Sequence, residues 1–163
     1  MKEYAAPWWK LLFGVTVFAV AVCVGVSIAV TIAARAEGEF ATPVKLAVVL
    51  PLIIVAISAL FMVRGYAVTA DEIVVRRPVL SKHFERARLQ SAAVDPEALR
   101  GSIRLFGNGG LFSFSGIFRS SKLGRYRAYV TDPGRSVILR FADRVVVISP
   151  ADPDAFVRDV TPR

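Results

Sequence analysis

A chain of 163 residues that is 55% hydrophobic, with a mean hydropathy of +0.53 and a formal charge of +8, is too apolar for an ordinary soluble domain. A single cysteine, Cys23, excludes an intramolecular disulfide, and with one histidine, His83, a metal site of cysteine and histidine lacks its ligands. The polarity is uneven: residues 66–163 hold 16 of the 21 Lys and Arg and 10 of the 13 Asp and Glu, a charge of +6 on a length sufficient for one small core.

The opening segment sets Lys2, Glu3 and Lys10 around Tyr4, Trp8 and Trp9. Indoles beside a lysine suit the membrane–water boundary, where the ring is buried and the N–H stays wet, so Trp8, Trp9 and Lys10 are expected as interface anchors. Two uncharged apolar runs follow, Leu11–Ala34 and Leu46–Val63. As helices they measure about 36 and 27 Å, against a hydrocarbon core of roughly 30 Å, and the shorter one gains reach if Lys45 and Arg64 snorkel. Transmembrane helices are therefore predicted over about 8–34 and 44–64. Buried helices of a soluble bundle would carry a polar stripe, and neither run has one. A cleaved signal peptide is disfavoured because the first run exceeds a signal h-region and a second run follows.

Arg35–Lys45 is a short link in which Gly38 and Pro43 favour a turn, making the helices antiparallel neighbours. Positive charge gathers before the first run (Lys2, Lys10) and after the second (Arg64, Arg76, Arg77, Lys82, Arg86, Arg88). That bias predicts a two-span protein of the inner (cytoplasmic) membrane with both termini in the cytoplasm. Ala21, Gly25 and Ala29 form a small-residue stripe expected to pack on the second run, near Ala56 and Ala59, or on a partner subunit. Pro51 is expected near the start of the second helix, where its missing N–H costs least. With no ionisable group except Cys23, the runs offer no proton or ion path.

From Tyr66 onward short β-rich runs alternate with turn signals. Tyr66–Thr69 and Ile73–Arg77 flank Ala70-Asp71-Glu72 as a first hairpin, and His83–Leu89 reads as strand. His83 has no ligand cluster or catalytic partner near it and is expected as a surface residue. After the turn-rich Asp95–Gly101, Ile103–Phe106 leads into Gly107-Asn108-Gly109-Gly110. A phosphate loop would need a following Lys and Ser or Thr, which are absent, so Asn108-Gly109 is expected as a hairpin turn. Ser113 and Ser115 are not framed as a nucleophile elbow.

Arg119-Ser120-Ser121-Lys122-Leu123-Gly124-Arg125-Tyr126-Arg127 is the densest basic segment. It reads either as a solvated strand face or as a surface for anionic lipid, with Arg119, Lys122, Arg125 and Arg127 as the contacts. Nucleic acid is not expected, because the aromatics alternate as core residues do. Three strands follow, Tyr126–Thr131, Ser136–Phe141 and Arg144–Ser149, joined at Asp132-Pro133-Gly134-Arg135 and Ala142-Asp143. Ser149 or Asp152 then caps a short helix that buries Phe156 and Val160.

Gly107-Asn108-Gly109-Gly110-Leu111-Phe112 with Gly116 and Phe118, then Leu123-Gly124, Tyr129-Val130-Thr131, and Ile148-Ser149-Pro150 with Asp152 and Phe156, resemble the bacterial PH (pleckstrin-homology-like) domain family over Tyr66–Val160. In that family membrane helices often precede the domain. The resemblance implies a partly open barrel of two packed sheets with a helix at one end, and no reaction or cofactor. The loop that binds phosphoinositides in eukaryotic PH domains corresponds here to Ala70-Asp71-Glu72, which is acidic.

The expected architecture is α+β: residues 1–65 as tail and transmembrane hairpin, residues 66–163 as a cytoplasmic PH-like β-barrel of about seven strands capped by a C-terminal helix. The expected function is a non-enzymatic, membrane-anchored module that docks a protein partner or a second copy at the cytoplasmic face. The alternative is an anionic-lipid sensor working through the basic segment. No catalytic, cofactor-binding or metal-ligating residues are assigned.

Overall fold

The computed structural model describes residues 1–36 and 42–161. A short strand, β1 (Lys2–Ala5), precedes two helices, α1 (Lys10–Ala36) and α2 (Thr42–Leu60). Phe13, Phe18, Ile28 and Ile32 of α1 and Leu46, Leu50, Ile54 and Ile57 of α2 all project outward, and no residue of α2 is buried. Both helices are long and apolar enough to cross a membrane.

Where the helices meet, the Ser27 hydroxyl donates to the Val48 carbonyl at 3.0 Å, with half-buried Cys23 and buried Ala34 on the same side of α1. The stripe Ala21, Gly25 and Ala29 is exposed on the opposite side. A rotation of 100° per residue puts positions 23, 27 and 34 together and turns 25 and 29 away, so the stripe does not pack on α2. Because α2 starts at Thr42, Pro51 lies inside the helix and Pro43 in its first turn. The expected turn at Gly38 lies outside the described residues.

The remaining elements are β2 (Gly65–Val68), β3 (Glu72–Arg76), β4 (Lys82–Glu85), β5 (Leu89–Val94), β6 (Ile103–Leu111), β7 (Ser113–Ser120), β8 (Gly124–Val130), β9 (Val137–Phe141), β10 (Val145–Ile148) and α3 (Pro153–Val160). They form a four-stranded sheet in the order β1-β2-β3-β4 and a six-stranded sheet in the order β5-β9-β10-β8-β7-β6. β10 slots between β9 and β8, parallel to β8, with Ile148 opposite Tyr129.

The expected seven-stranded barrel is, among the described residues, ten strands in two sheets that do not close. At the corner Arg86–Arg88 the Arg86 N–H donates to Asp71 O at 2.7 Å and its Nε to Val160 O at 3.1 Å. The chain bends there, so β4 stays on β3 while β5 leaves to pair with β9.

Tyr66, Ile73, Val75, Leu139, Val146 and Ile148 fill the space between the sheets, closed by Phe156 and Val160 of α3. Asp152 caps α3, accepting from the Ala155 N–H at 2.9 Å ahead of Pro153. A second core of Phe118, Leu123, Tyr126, Val130 and Ile138 lies under the Asp95–Gly101 connection, which contributes Ala98. Within the first core the Tyr66 hydroxyl donates to Tyr129 O at 2.7 Å and accepts from the Ser149 N–H at 3.1 Å. The Ser149 hydroxyl accepts from the Thr131 and Asp132 N–H groups at 2.8 and 3.2 Å.

The glycine-rich segment is not the turn that Asn108-Gly109 predicts. β6 runs through it, pairing Gly107 with Gly116 and Asn108 with Ser115, and reverses at Phe112, whose φ is 65°. Gly107 and Gly116 let the two backbones touch: a Cβ on Gly107 would sit 2.3 Å from Ser115 O, and one on Gly116 2.2 Å from Phe106 O. Asn108 instead holds the tip, its side chain bonded to both the N–H and the carbonyl of Leu111.

Candidate functional site

The sheet is fastened to the helix pair rather than hung from it. Only Phe61–Arg64 separate α2 from β2, and β1 adds to the free edge of β2 with Tyr4 opposite Tyr66. The entry to α1 and the exit from α2 therefore lie side by side. Tyr4 packs edge-on against Phe156 at 5.1 Å and bonds Asp159, which also pairs with Lys2 at 2.6 Å. Burial, first, and the Asp159 carboxylate push the Tyr4 phenol up to about 12. At the other sheet the β6–β7 tip packs on the helices: the Phe112 N–H donates to Thr16 Oγ1 at 3.0 Å and Ser113 Oγ to Phe61 O at 3.3 Å. Trp8 contacts Phe13 and Phe112, each at 6.3 Å between ring centroids, and the Trp9 N–H donates to Thr131 O at 3.1 Å. Trp9, Lys10 and Arg64 are exposed at this seam and Trp8 is half-buried.

Antiparallel pairing of β2 with β3 sets Arg76 opposite Gly65, and the Arg64 N–H donates to Arg76 O at 2.9 Å. Arg64, Arg76 and Arg77 thus line one cleft of about 550 Å³ with Glu3, Tyr4 and Ser81. Arg76 is paired with Glu3 at 2.7 Å. Arg77 is half-buried with its guanidinium 4.8 Å over the Phe61 ring and 5.9 Å from that of Tyr129, and its Nε is buried without a hydrogen-bond partner. Desolvation lowers its pKa from the usual arginine value. Among the described residues no carboxylate lies within ion-pair distance of Arg64 or Arg77. The sequence presents Arg64 as an interface anchor, and Arg76 and Arg77 alone do not make up for the acidic Ala70-Asp71-Glu72 loop; the register of the first hairpin is what sets Arg76 next to Arg64.

The segment Arg119–Arg127 surrounds the turn at the other end of β7, roughly 20–25 Å along the strand from the tip. Arg119 lies directly opposite Arg125, and Arg127 opposite Ile117 on the same face. All three are exposed without a carboxylate partner among the described residues. Lys122 stands apart in the turn, paired with Asp95. Like charges directly opposite each other oppose sheet pairing, so this arrangement costs the fold something unless an anion sits over it.

His83 Nδ1 lies 2.8 Å from Glu72 Oε2, both side chains about half-exposed, with no nucleophile in the pair. Among the described residues no group of three or more His, Cys, Asp or Glu could hold a metal ion.

Two sheets packed around a core, closed by a C-terminal helix and carrying charged surfaces, make up a PH-like domain, the kind of fold that serves as a protein or lipid interaction module. The bacterial PH domain family matches residues 64–163, which is 100 of the 163 residues, and the chain belongs to that family. No curated protein and no solved structure matches the chain.

Proposed function

We propose that this protein is a non-enzymatic module of the cytoplasmic membrane, anchored by α1 and α2 across the bilayer, whose PH-like domain docks an acidic protein partner. The division is residues 1–65 as anchor and 66–163 as domain, with β1 lent by the anchor to the domain's sheet. The positive flanks of the helix pair support both termini lying in the cytoplasm. The observation that carries the reading is the unneutralised face of Arg119, Arg125 and Arg127, held at the end of β7 remote from the helix seam. That position favours a protein partner over the leaflet in which the helices sit.

The test is site-specific photocrosslinking in intact cells from position 127, with position 79 as the reference. A partner with an acidic surface should be captured at 127, released from the intact detergent-solubilised chain by high salt, and lost on Arg119→Glu with Arg125→Glu. Capture that survives both the salt and the charge reversals would refute the docking face.

A further inference from the structure

The arginine cleft at the helix seam is a second charged surface. Arg64 is the first charge after the apolar run of α2, Arg76 lies beside it across the ladder, and Arg77 lies against Phe61 at the helix end. In a bilayer spanned by α2, all three stand where the hydrocarbon ends, a layer roughly 5–7 Å thick that holds the lipid phosphates. The β3–β4 turn continues past this level and exposes Val79 and Leu80, 61% and 66% accessible. An apolar turn tip beside a basic cleft at headgroup depth meets acyl chain and phosphate together.

Among the described residues that line the cleft with Arg64, Arg76 and Arg77, the one carboxylate is that of Glu3, which Arg76 takes. Among the described residues Arg64 and Arg77 have no carboxylate partner, and the Arg77 Nε is buried without a hydrogen-bond partner. The cleft lies at the opposite end of the β2–β3 hairpin from Ala70-Asp71-Glu72. We infer that it binds the phosphate of one anionic phospholipid of the surrounding leaflet, with Arg64 and Arg77 as the principal donors and the Ser81 hydroxyl and Arg76 at its rim. Guanidinium is suited to this because its planar fork makes two parallel bonds to phosphate oxygens.

This inference rests on the membrane reading of α1 and α2 but not on the partner reading. The intact chain is assembled in nanodiscs of phosphatidylcholine with a minority of phosphatidylglycerol, then released into mild detergent for native mass spectrometry. The wild type should retain one phosphatidylglycerol in preference to phosphatidylcholine, and millimolar inorganic phosphate should not displace it. Arg64→Gln with Arg77→Gln should cut that retention by at least roughly tenfold. Arg64 is exposed, so Arg64→Gln alone leaves the fold intact and should still lower retention. Arg125→Gln with Arg127→Gln should leave it unchanged.

Equal retention by the Arg64 and Arg77 variants, equal loss in the Arg125 and Arg127 variant, or displacement by inorganic phosphate would each overturn the assignment, the last in favour of a soluble phosphate. Extraction of the chain from membranes by alkaline carbonate would instead refute the anchor itself, so the two failures are separable.

Discussion

Replacing Tyr66 by phenylalanine isolates the polar knot that ties the two sheets together. The ring is completely buried, so Tyr66→Phe keeps its packing and removes one hydroxyl. That hydroxyl donates to Tyr129 O and accepts from the Ser149 N–H. Ser149 Oγ keeps its bonds to Thr131 and Asp132, so the loss falls mainly on an orphaned buried N–H and a half-satisfied carbonyl, together about 2–3 kcal/mol. For a domain of this size that lowers Tm by on the order of 15 °C.

The pH dependence sharpens the test. Burial pushes the Tyr66 phenol up from 10.0 to about 12. Below pH 10 the phenol is protonated folded or unfolded, and its ionisation does not affect stability. Between pH 10 and 12 only the unfolded chain releases this proton, so Tyr66 contributes a loss of stability that grows by about 1.4 kcal/mol per pH unit to about 3 kcal/mol, beside whatever Tyr4 contributes in both proteins. The variant lacks this contribution, and the two unfolding curves should converge as pH rises. Urea unfolding of the full chain in mild detergent, followed by the β-sheet circular dichroism, measures both effects. A loss under about 0.5 kcal/mol at neutral pH, or an equally steep alkaline limb in the variant, would refute the reasoning.

Three further outcomes follow from the same structure. Gly116→Ala forces a Cβ to 2.2 Å from Phe106 O at a φ of +149°, and should cost about 3 kcal/mol or more, with loss of amide protection along β6 and β7 by hydrogen exchange. Gly124→Ala, at a φ of +65° with nothing within 4 Å of the new Cβ, should cost only about 1 kcal/mol in the same measurement. Arg125→Glu turns a like-charge pair into an opposite-charge pair with Arg119, and should raise stability by about 0.5 kcal/mol in thermal melts at low salt while abolishing partner crosslinking. A destabilised Arg125→Glu would show that the basic pair is not strained.

Where the signal was local, the residues sufficed. The length and apolarity of the two runs, the Asp132-Pro133-Gly134 turn, the Asp152 cap and the Phe156/Val160 face of α3 each depend on residues within a few positions of one another. The family resemblance rests on segments of that kind, and the bacterial PH domain match over residues 64–163 agrees with it. The small-residue stripe did not find the contact with α2, because spacing within α1 is read from one helix alone, whereas the α1 face that meets α2 is chosen by both. Asn108-Gly109 misled because a dipeptide preference is local, whereas the register that pairs Gly107 with Gly116 and Asn108 with Ser115 carries the strand through it to a reversal at Phe112.

Amino-acid order alone determined that this chain carries two helices built on uncharged apolar runs, a strand-rich basic domain and one terminal helix, since period, charge and capping are read within a single element. Tertiary structure decided which edges meet. Four residues at the N-terminus complete the β2 edge, β5 changes sheets at Arg86, and the exit of α2 gathers Arg64, Arg76 and Arg77 into one cleft. Tertiary contacts join residues as far apart as Tyr4 and Asp159, 155 positions along the chain, and the free energy that selects such contacts belongs to both partners at once.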